Sequence, residues 1–163
     1  MTVSADEYRS ALRRHPAGVV VITLMSDSGP VGFTATSFAS LSLNPPLVSF
    51  NITHTSSSIA ALTKAPSVAV HLICEEQLEI ARRFSASADQ RFAEPVTWSP
   101  LPTGEPLLSD TPTWLRAELT RLIPAGDSTL VVARVTDAHC SSEDKAPLLY
   151  HDGQYHCARA LVD

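Results

Sequence analysis

Two adjacent prolines, Pro45 and Pro46, divide residues 32–51 into two segments of strand-forming composition. Proline has no backbone N–H to donate to a β ladder, so a strand must end near the pair. We therefore predict strands over residues 31–41 and 47–52. The first segment is rich in hydroxyl groups, those of Thr34, Thr36, Ser37, Ser40 and Ser42. These hydroxyls can hold a flat polar ring or simply face solvent, and spacing alone leaves both readings open.

Apolar alternation predicts further strands, and the longest pair forms a hairpin. Residues 114–123 and 128–139 alternate apolar and polar side chains on either side of a turn at residues 124–127. The unbroken apolar run at residues 18–25 predicts a central strand. Shorter strands are predicted over residues 67–73, 148–150 and 155–157. About seven strands with only short helices favour a mainly β fold, a Greek-key barrel. The length predicts one domain over residues 1–163.

Helices are predicted at two places with clear terminal signals. Ser4 and Glu7 have the spacing of a capping box at the start of residues 4–14. Residues 75–84 have acidic side chains in the first turn and basic ones near the end, as the helix dipole favours. Residues 85–112 are predicted to be a long surface excursion with a brief helical piece near residues 89–93.

A third helical signal follows a run of serines. Residues 54–64 place Ser56, Ser57 and Ser58 before a short apolar run, which predicts a capped helix start. Unpaired amide donors at such a start would suit a phosphate. Ordinary capping explains the same pattern without any ligand, so both interpretations stay open.

Charge and hydropathy argue against nucleic-acid and membrane partners. The chain has 12 Lys and Arg against 17 Asp and Glu, a formal net charge of −5, and no basic run. Binding to a phosphate backbone needs clustered cations, which the sequence lacks. No window approaches the roughly 20 apolar residues that a membrane-spanning helix needs.

The cysteines and the N-terminal residues predict a cytoplasmic protein. Cys74, Cys140 and Cys157 are isolated and odd in number, which indicates neither a disulfide framework nor a zinc site. Residues 1–15 contain early acidic side chains and no apolar segment, unlike an ordinary secretory signal.

Motifs of common catalytic chemistry are absent from the sequence. It has no GxGxxG or GxxxxGK nucleotide motif, no GxSxG elbow and no HExxH. Nothing in it predicts a base that would activate a cysteine nucleophile. His71 has no second ligand at metal spacing, so we interpret it as a hydrogen-bonded core or interface histidine. The sequence therefore predicts neither a catalytic side chain nor a metal ligand.

Several short motifs, none specific alone, occur in a characteristic order. They are HPAGV at 15–19, GFTATSF at 32–38, NPPLV at 44–48, SSS at 56–58, LEIARRF at 78–84, RF at 91–92, GD at 126–127 and PLLYHDGQY at 147–155. Together they span nearly the whole chain. The set resembles the flavin reductase family of FMN-binding split barrels, the reductase components of two-component flavin monooxygenases. The resemblance implies a Greek-key split β-barrel with a few short helices.

The resemblance also implies where a flavin would lie. The strand at residues 34–40 would run along the isoalloxazine ring. Ser56 and Ser57 would meet the ribityl phosphate, and Arg83, with Phe84, would close over the phosphate or the far part of the flavin. The implied flavin-binding residues are Thr34, Ala35, Thr36, Ser37, Ser40, Asn51, Ser56, Ser57, Arg83 and Phe84.

The nicotinamide side of the site is implied at Asp127, Ser128, His151 and Tyr155. Many family members have Gly-Asp-His where this chain has Gly-Asp-Ser at residues 126–128. A serine can donate a hydrogen bond but cannot stack or carry charge. We therefore expect either a weaker contact with NADH in this chain or a contact taken over by His151 or Tyr155.

The function implied by the resemblance is hydride transfer from NADH, with NADPH less favoured, to FMN or FAD. Reduced flavin would then pass from a homodimer to a separate flavin-dependent monooxygenase. Hydride transfer between stacked rings needs no side-chain acid or base, since the cofactors carry the chemistry. Two alternatives stay open: a flavoprotein with tightly bound FMN that itself reduces an organic substrate, and a flavin-binding module without turnover.

Overall fold

The computed structural model describes residues 2–162, and strands dominate it. The strands are β1 (Ala17–Gly18), β2 (Val20–Ser26), β3 (Gly29–Ala35), β4 (Ala39–Leu43), β5 (Pro46–Thr53), β6 (Ser67–Leu72), β7 (Trp98–Pro100), β8 (Pro106–Leu108), β9 (Thr113–Ala125), β10 (Ser128–Cys140), β11 (Leu148–His151) and β12 (Gln154–Cys157). The helices are α1 (Ala5–Leu12), α2 (Ile59–Lys64), α3 (Leu78–Ser85) and α4 (Ala88–Arg91), with a 3₁₀ turn at Glu75–Gln77. The predicted mainly β fold with short helices is confirmed.

Seven strands form one antiparallel sheet in the order β3-β2-β6-β9-β10-β5-β4. Strands β1, β11 and β12 form a second sheet, and β7 pairs with β8. The predicted long hairpin is β9–β10, and the predicted C-terminal hairpin is β11–β12. None of the helices in the described part of the chain is long and apolar enough to cross a membrane.

Strand β2 is buried on both faces, which explains its unbroken apolar sequence. On one face Ile22 packs with Phe50 and other buried residues of the large sheet. On the other face Val21 packs with Ala81 and Phe84 of α3 and with Leu148 of β11. This second apolar cluster, on the other face of β2, therefore fixes α3 against the sheet.

Two predictions of secondary structure differ from the structure. The predicted strand over residues 31–41 is divided, because β3 ends at Ala35 and β4 begins at Ala39. Residues 85–112 contain the hairpin β7–β8 in addition to the helical piece α4. Each strand of that hairpin is three residues long and contains a proline, so the sequence carries no alternation that could reveal it.

The capping predictions had opposite outcomes. The box at α1 is confirmed: the Ser4 hydroxyl accepts from the Glu7 N–H at 3.2 Å, and the Glu7 carboxylate accepts from the Ser4 N–H at 2.9 Å. The capped start of α2 is wrong, since the preceding residue, Ser58, makes no side-chain cap. Instead, the Ser58 N–H donates to the Ser56 hydroxyl at 3.2 Å, a local turn that competes with helix capping.

The interpretation of His71 as a hydrogen-bonded core residue is confirmed. Its side chain is fully buried. Nδ1–H donates to the Val21 carbonyl at 3.0 Å, and Nε2 accepts the Leu108 N–H at 3.0 Å. These partners fix the neutral imidazole and join β2, β6 and β8.

Burial of His71 makes folding stability depend on pH. Desolvation lowers its pKa from 6.5 to about 4, against the weaker effect of the Val21 hydrogen bond. The unfolded chain therefore binds a proton that the folded chain excludes, and stability falls as pH drops from about 6.5 towards 4. Between about pH 7 and about pH 5 we expect a loss of about 2 kcal/mol from this residue.

Urea unfolding of wild type and His71→Gln at the two pH values measures this effect. The variant should lose about 2 kcal/mol less than the wild type on acidification, because only the wild type carries this linkage. Carboxylate titrations are common to both proteins and cancel in the comparison. Equal losses would contradict the prediction.

Candidate functional site

A groove of about 410 Å³ opens where β3 ends, beside β5 and the C-terminus of α3. It is lined by residues from four separate segments: Phe33, Thr34, Ala35, Thr36, Ser37, Asn51, Ile52, Thr53, Ser56, Phe84, Ser85 and Arg91. Seven of the ten residues implied as flavin contacts are among them: Thr34, Ala35, Thr36, Ser37, Asn51, Ser56 and Phe84. We name this cavity the first groove.

Hydrogen bonds fix the walls of the first groove. The Thr34 hydroxyl donates to the Ala81 carbonyl at 2.7 Å, which fastens β3 to α3. The Ser37 hydroxyl accepts the Asn51 N–H at 3.0 Å, so the chain beyond β3 is held against β5. Strand β3 is also an edge strand, which presents backbone donors and acceptors that no neighbouring strand pairs.

The floor of the first groove is apolar. Phe84 is fully buried, and Phe33, Ala35 and Ile52 are also buried. Gly32 permits the close approach of Phe84, since a Cβ there would lie 2.7 Å from the phenylalanine Cε1 atom. Phe84 therefore lies beneath the groove and does not close over it, contrary to the expectation from the resemblance.

Arg91 brings a partly buried positive charge to the first groove. Its Nη1 donates to the Gly32 carbonyl at 2.9 Å and the Ser58 hydroxyl at 3.1 Å, and its Nε donates to the Ala86 carbonyl at 3.0 Å. Nη2 has no hydrogen-bond partner among residues 2–162. Burial lowers the pKa of this guanidinium, but arginine remains charged, so the group suits an anion.

Three residues implied as flavin contacts lie outside the first groove. Arg83 donates to the carbonyls of Gln90 at 3.0 Å and Glu94 at 3.5 Å, and it lines a different cavity. Ser57 is exposed and lines another cavity. Ser40 is exposed on β4, the other edge of the sheet.

Five residues that line the first groove were not among the implied flavin contacts: Phe33, Ile52, Thr53, Ser85 and Arg91. Arg91 was visible only as part of a two-residue motif. In the described part of the chain, no group of three or more His, Cys, Asp or Glu is arranged to hold a metal ion.

Two residues implied for the nicotinamide lie at the β9–β10 turn. Ser128 pairs with Thr53, which lines the first groove. The Ser128 hydroxyl donates to the Asp127 carboxylate at 3.0 Å, and the Asp127 carbonyl accepts the His54 N–H at 2.9 Å. Both residues therefore lie beside the first groove without lining it.

The other two implied residues belong to the β11–β12 hairpin. His151 lines a second groove, of about 370 Å³, between α1 and this hairpin. Tyr155 is half-buried and packs edge-on against Tyr150, with ring centroids 5.1 Å apart. Thr36 lines both grooves, so the second groove adjoins the first.

The sequence matches a family model described as a flavin reductase like domain over residues 12–159. The chain belongs to the flavin reductase family. An NADH:FMN oxidoreductase from Rhodococcus qingshengii is 58% identical over 157 residues, which cover 94% of this chain and 82% of the relative. The reductase subunit of a flavin-dependent monooxygenase from Rhodococcus jostii is 36% identical over 153 residues, 94% of this chain and 77% of the relative.

A solved structure extends the match to the fold. The NADH:FAD oxidoreductase of Streptomyces globisporus, in complex with NAD and FAD fragments, has a TM-score of 0.89 at 28% identity and covers 100% of this chain and 99% of its own. The split β-barrel implied by the resemblance is confirmed. The protein is an NAD(P)H-dependent flavin reductase, an oxidoreductase that uses a flavin and NADH.

Proposed function

We propose that this flavin reductase transfers hydride from NADH to FMN and releases the reduced FMN to a separate flavin-dependent monooxygenase. The observation that carries the proposal is the first groove, whose apolar floor, hydroxyl-lined wall and single arginine suit a flat ring with a phosphate. A bound flavin supplies the hydride-accepting ring. The name of the 58% identical relative supports NADH and FMN. The relative that is the reductase subunit of a flavin-dependent monooxygenase supports a monooxygenase as the partner that receives reduced flavin.

In this proposal the residues of the first groove bind and orient the ring. Backbone groups and hydroxyls of residues 34–37, with Asn51, contact its polar edge, while Phe84 supports it from below. Ser56 and Arg91 bind the phosphate, and Arg91 takes the place that the resemblance gave to Arg83. Its free Nη2 and its cationic charge support this change.

We further propose a cytoplasmic homodimer in which residues 1–163 act as one domain. Leu41 and Leu43 on the edge strand β4 are 54% and 91% exposed, and Ile123 near the end of β9 is 40% exposed. Large apolar side chains left in solvent at a sheet edge favour contact with a protein surface. A second copy of the chain is the partner we propose, and analytical ultracentrifugation of Leu43→Glu against wild type tests it.

Steady-state oxidation of NADH by the purified protein, without flavin and then with added FMN or FAD, tests the proposed function. We expect a rate that saturates with free FMN and a lower kcat/KM with FAD. Turnover with a flavin that survives desalting and needs no addition would instead support the tightly bound flavoprotein. Flavin binding without NADH oxidation would contradict the proposal and favour the binding module.

A further inference from the structure

Ser58 is a buried polar residue whose role the helix signal does not explain. Its side chain is 1% exposed, and the residue directly precedes α2. A capping serine has an extended backbone, from which its hydroxyl reaches the N–H groups of the first helical turn. Ser58 instead has a φ of −94° and a ψ of −8°, in the helical region, and makes no side-chain cap. Its hydroxyl is therefore available to a partner outside the helix.

The hydroxyl of Ser58 has one hydrogen-bond partner within residues 2–162, the guanidinium of Arg91. Arg91 Nη1 donates to the Ser58 Oγ at 3.1 Å, although the two residues lie 33 positions apart in the chain. A buried hydroxyl without a hydrogen bond carries the full cost of its desolvation, so this contact explains why a serine is tolerated there. The bond also joins the start of α2 to the end of α4.

Ser58 supplies the single side-chain anchor of the Arg91 guanidinium in the described part of the chain. The other two anchors are backbone carbonyls, of Gly32 at 2.9 Å from Nη1 and of Ala86 at 3.0 Å from Nε. These bonds use the Nε hydrogen and both Nη1 hydrogens. Because the guanidinium is planar, the bonds fix its orientation, and the hydrogens that remain are those of Nη2.

Ser58 also contacts the other residue that the proposed function assigns to the phosphate, Ser56. The Ser58 N–H donates to the Ser56 hydroxyl oxygen at 3.2 Å. This bond occupies an acceptor position of that oxygen, so the hydroxyl hydrogen remains to donate to an anion. Ser56 and Arg91 both line the first groove, whereas Ser58 does not. One buried serine therefore holds both groups from outside the groove.

We propose that Ser58 is a positioning residue for the flavin phosphate, which fixes Arg91 through its hydroxyl and Ser56 through its N–H before the flavin binds. This inference rests on the proposed function, in which those two side chains bind the phosphate. Donors that are already in place lose little conformational freedom when the anion arrives, which raises affinity. Ser58 should therefore contribute to the binding of FMN and not to that of riboflavin, which has the same ring without the phosphate.

Flavin-fluorescence titration without NADH measures this contribution independently of turnover. Ser58→Ala should weaken FMN binding about 5-fold, since it removes a hydrogen bond to a charged group, and should leave riboflavin binding unchanged. Ser58→Cys, which fills the same space with a weaker acceptor, should resemble Ser58→Ala, and Ser58→Thr, which keeps the hydroxyl, should restore FMN binding. Ser57→Ala is the matched control, because Ser57 is the exposed neighbour that lines a different cavity.

A double-mutant cycle tests whether the Ser58 hydroxyl acts through Arg91. Ser58→Ala should add less than about 2-fold to the loss of FMN affinity in Arg91→Ala, although it costs about 5-fold in the wild type. Equal factors in the two backgrounds would overturn the proposal, as would wild-type FMN affinity in Ser58→Ala or equal losses with FMN and riboflavin. A wild-type protein that binds FMN but oxidises no NADH would contradict the proposed function instead, and the titrations would still decide the role of Ser58.

Discussion

Replacing Arg91 with alanine is expected to raise the KM for FMN about 10- to 100-fold, because a charge-assisted hydrogen bond contributes about 1.5–3 kcal/mol. The side chain is held over the first groove by the Gly32 carbonyl and the Ser58 hydroxyl, with Nη2 left for an anion. Reduction of riboflavin, which lacks the phosphate, should change little. NADH oxidation with each flavin measures both constants.

Arg83→Ala is the matched control for this experiment. Arg83 is eight residues from Arg91, and its guanidinium contacts the Gln90 and Glu94 carbonyls outside the first groove. We expect near wild-type constants for FMN from this variant. If instead only Arg83→Ala raised the KM for FMN, the phosphate contact would belong to Arg83, as the resemblance implied. An equal rise in the KM for FMN and for riboflavin in Arg91→Ala would show that the substitution distorts the groove. Thermal unfolding of each variant checks for such a distortion.

Removing the carboxylate of Glu105 is expected to destabilise the fold by about 3 kcal/mol, since it breaks a buried ion pair and leaves Arg116 with only the more exposed Glu118 as counter-charge. Glu105 is 2% exposed and pairs with Arg116 at 2.9 Å, and the hydroxyls of Ser67 and Thr103 donate to it. Glu105→Ala should therefore lower Tm by roughly 6–12 °C. These contacts fix the segment before β8 onto β6 and β9.

Glu118→Gln supplies the comparison, because Glu118 contacts the same arginine from a more exposed position. Its side chain is 42% exposed and lies 3.3 Å from Arg116 Nη1. An exposed pair contributes less than about 1 kcal/mol, so the Tm of this variant should stay close to wild type. Similar Tm values for Glu105→Ala and Glu118→Gln would contradict the assigned role of the buried pair.

The Glu105 cluster also predicts acid sensitivity. Burial by itself would raise the pKa of Glu105, but hydrogen bonds from Ser67 and Thr103 and the charge of Arg116 outweigh it and hold the pKa below 4.5. The stabilisation is present above the unfolded value and is lost as pH falls through the lower, folded value. Together with His71, whose contribution declines as pH falls from about 6.5 towards 4, this carboxylate makes the fold progressively weaker in acid.

The sequence by itself determined the features that depend on neighbours along the chain. Alternation of apolar side chains predicted the β9–β10 hairpin, because successive side chains of a strand face opposite sides. Ser4 and Glu7 predicted their own capping box, since both partners lie within one turn. His71 could be assigned to the core because no metal-ligand spacing accompanied it. The order of short motifs was sufficient for the family.

Only the tertiary structure decided which segments meet at the grooves. Arg83 and Arg91 are equivalent cations in sequence, and the turn between α3 and α4 alone brings Arg91 over β3 while Arg83 faces away. The second groove exists because a hairpin more than a hundred residues after α1 closes against that helix, with the Asp152 N–H donating to the Arg13 carbonyl. Local periodicity determines the face of an element on which a side chain lies, whereas contacts between distant segments depend on the packing of the whole chain.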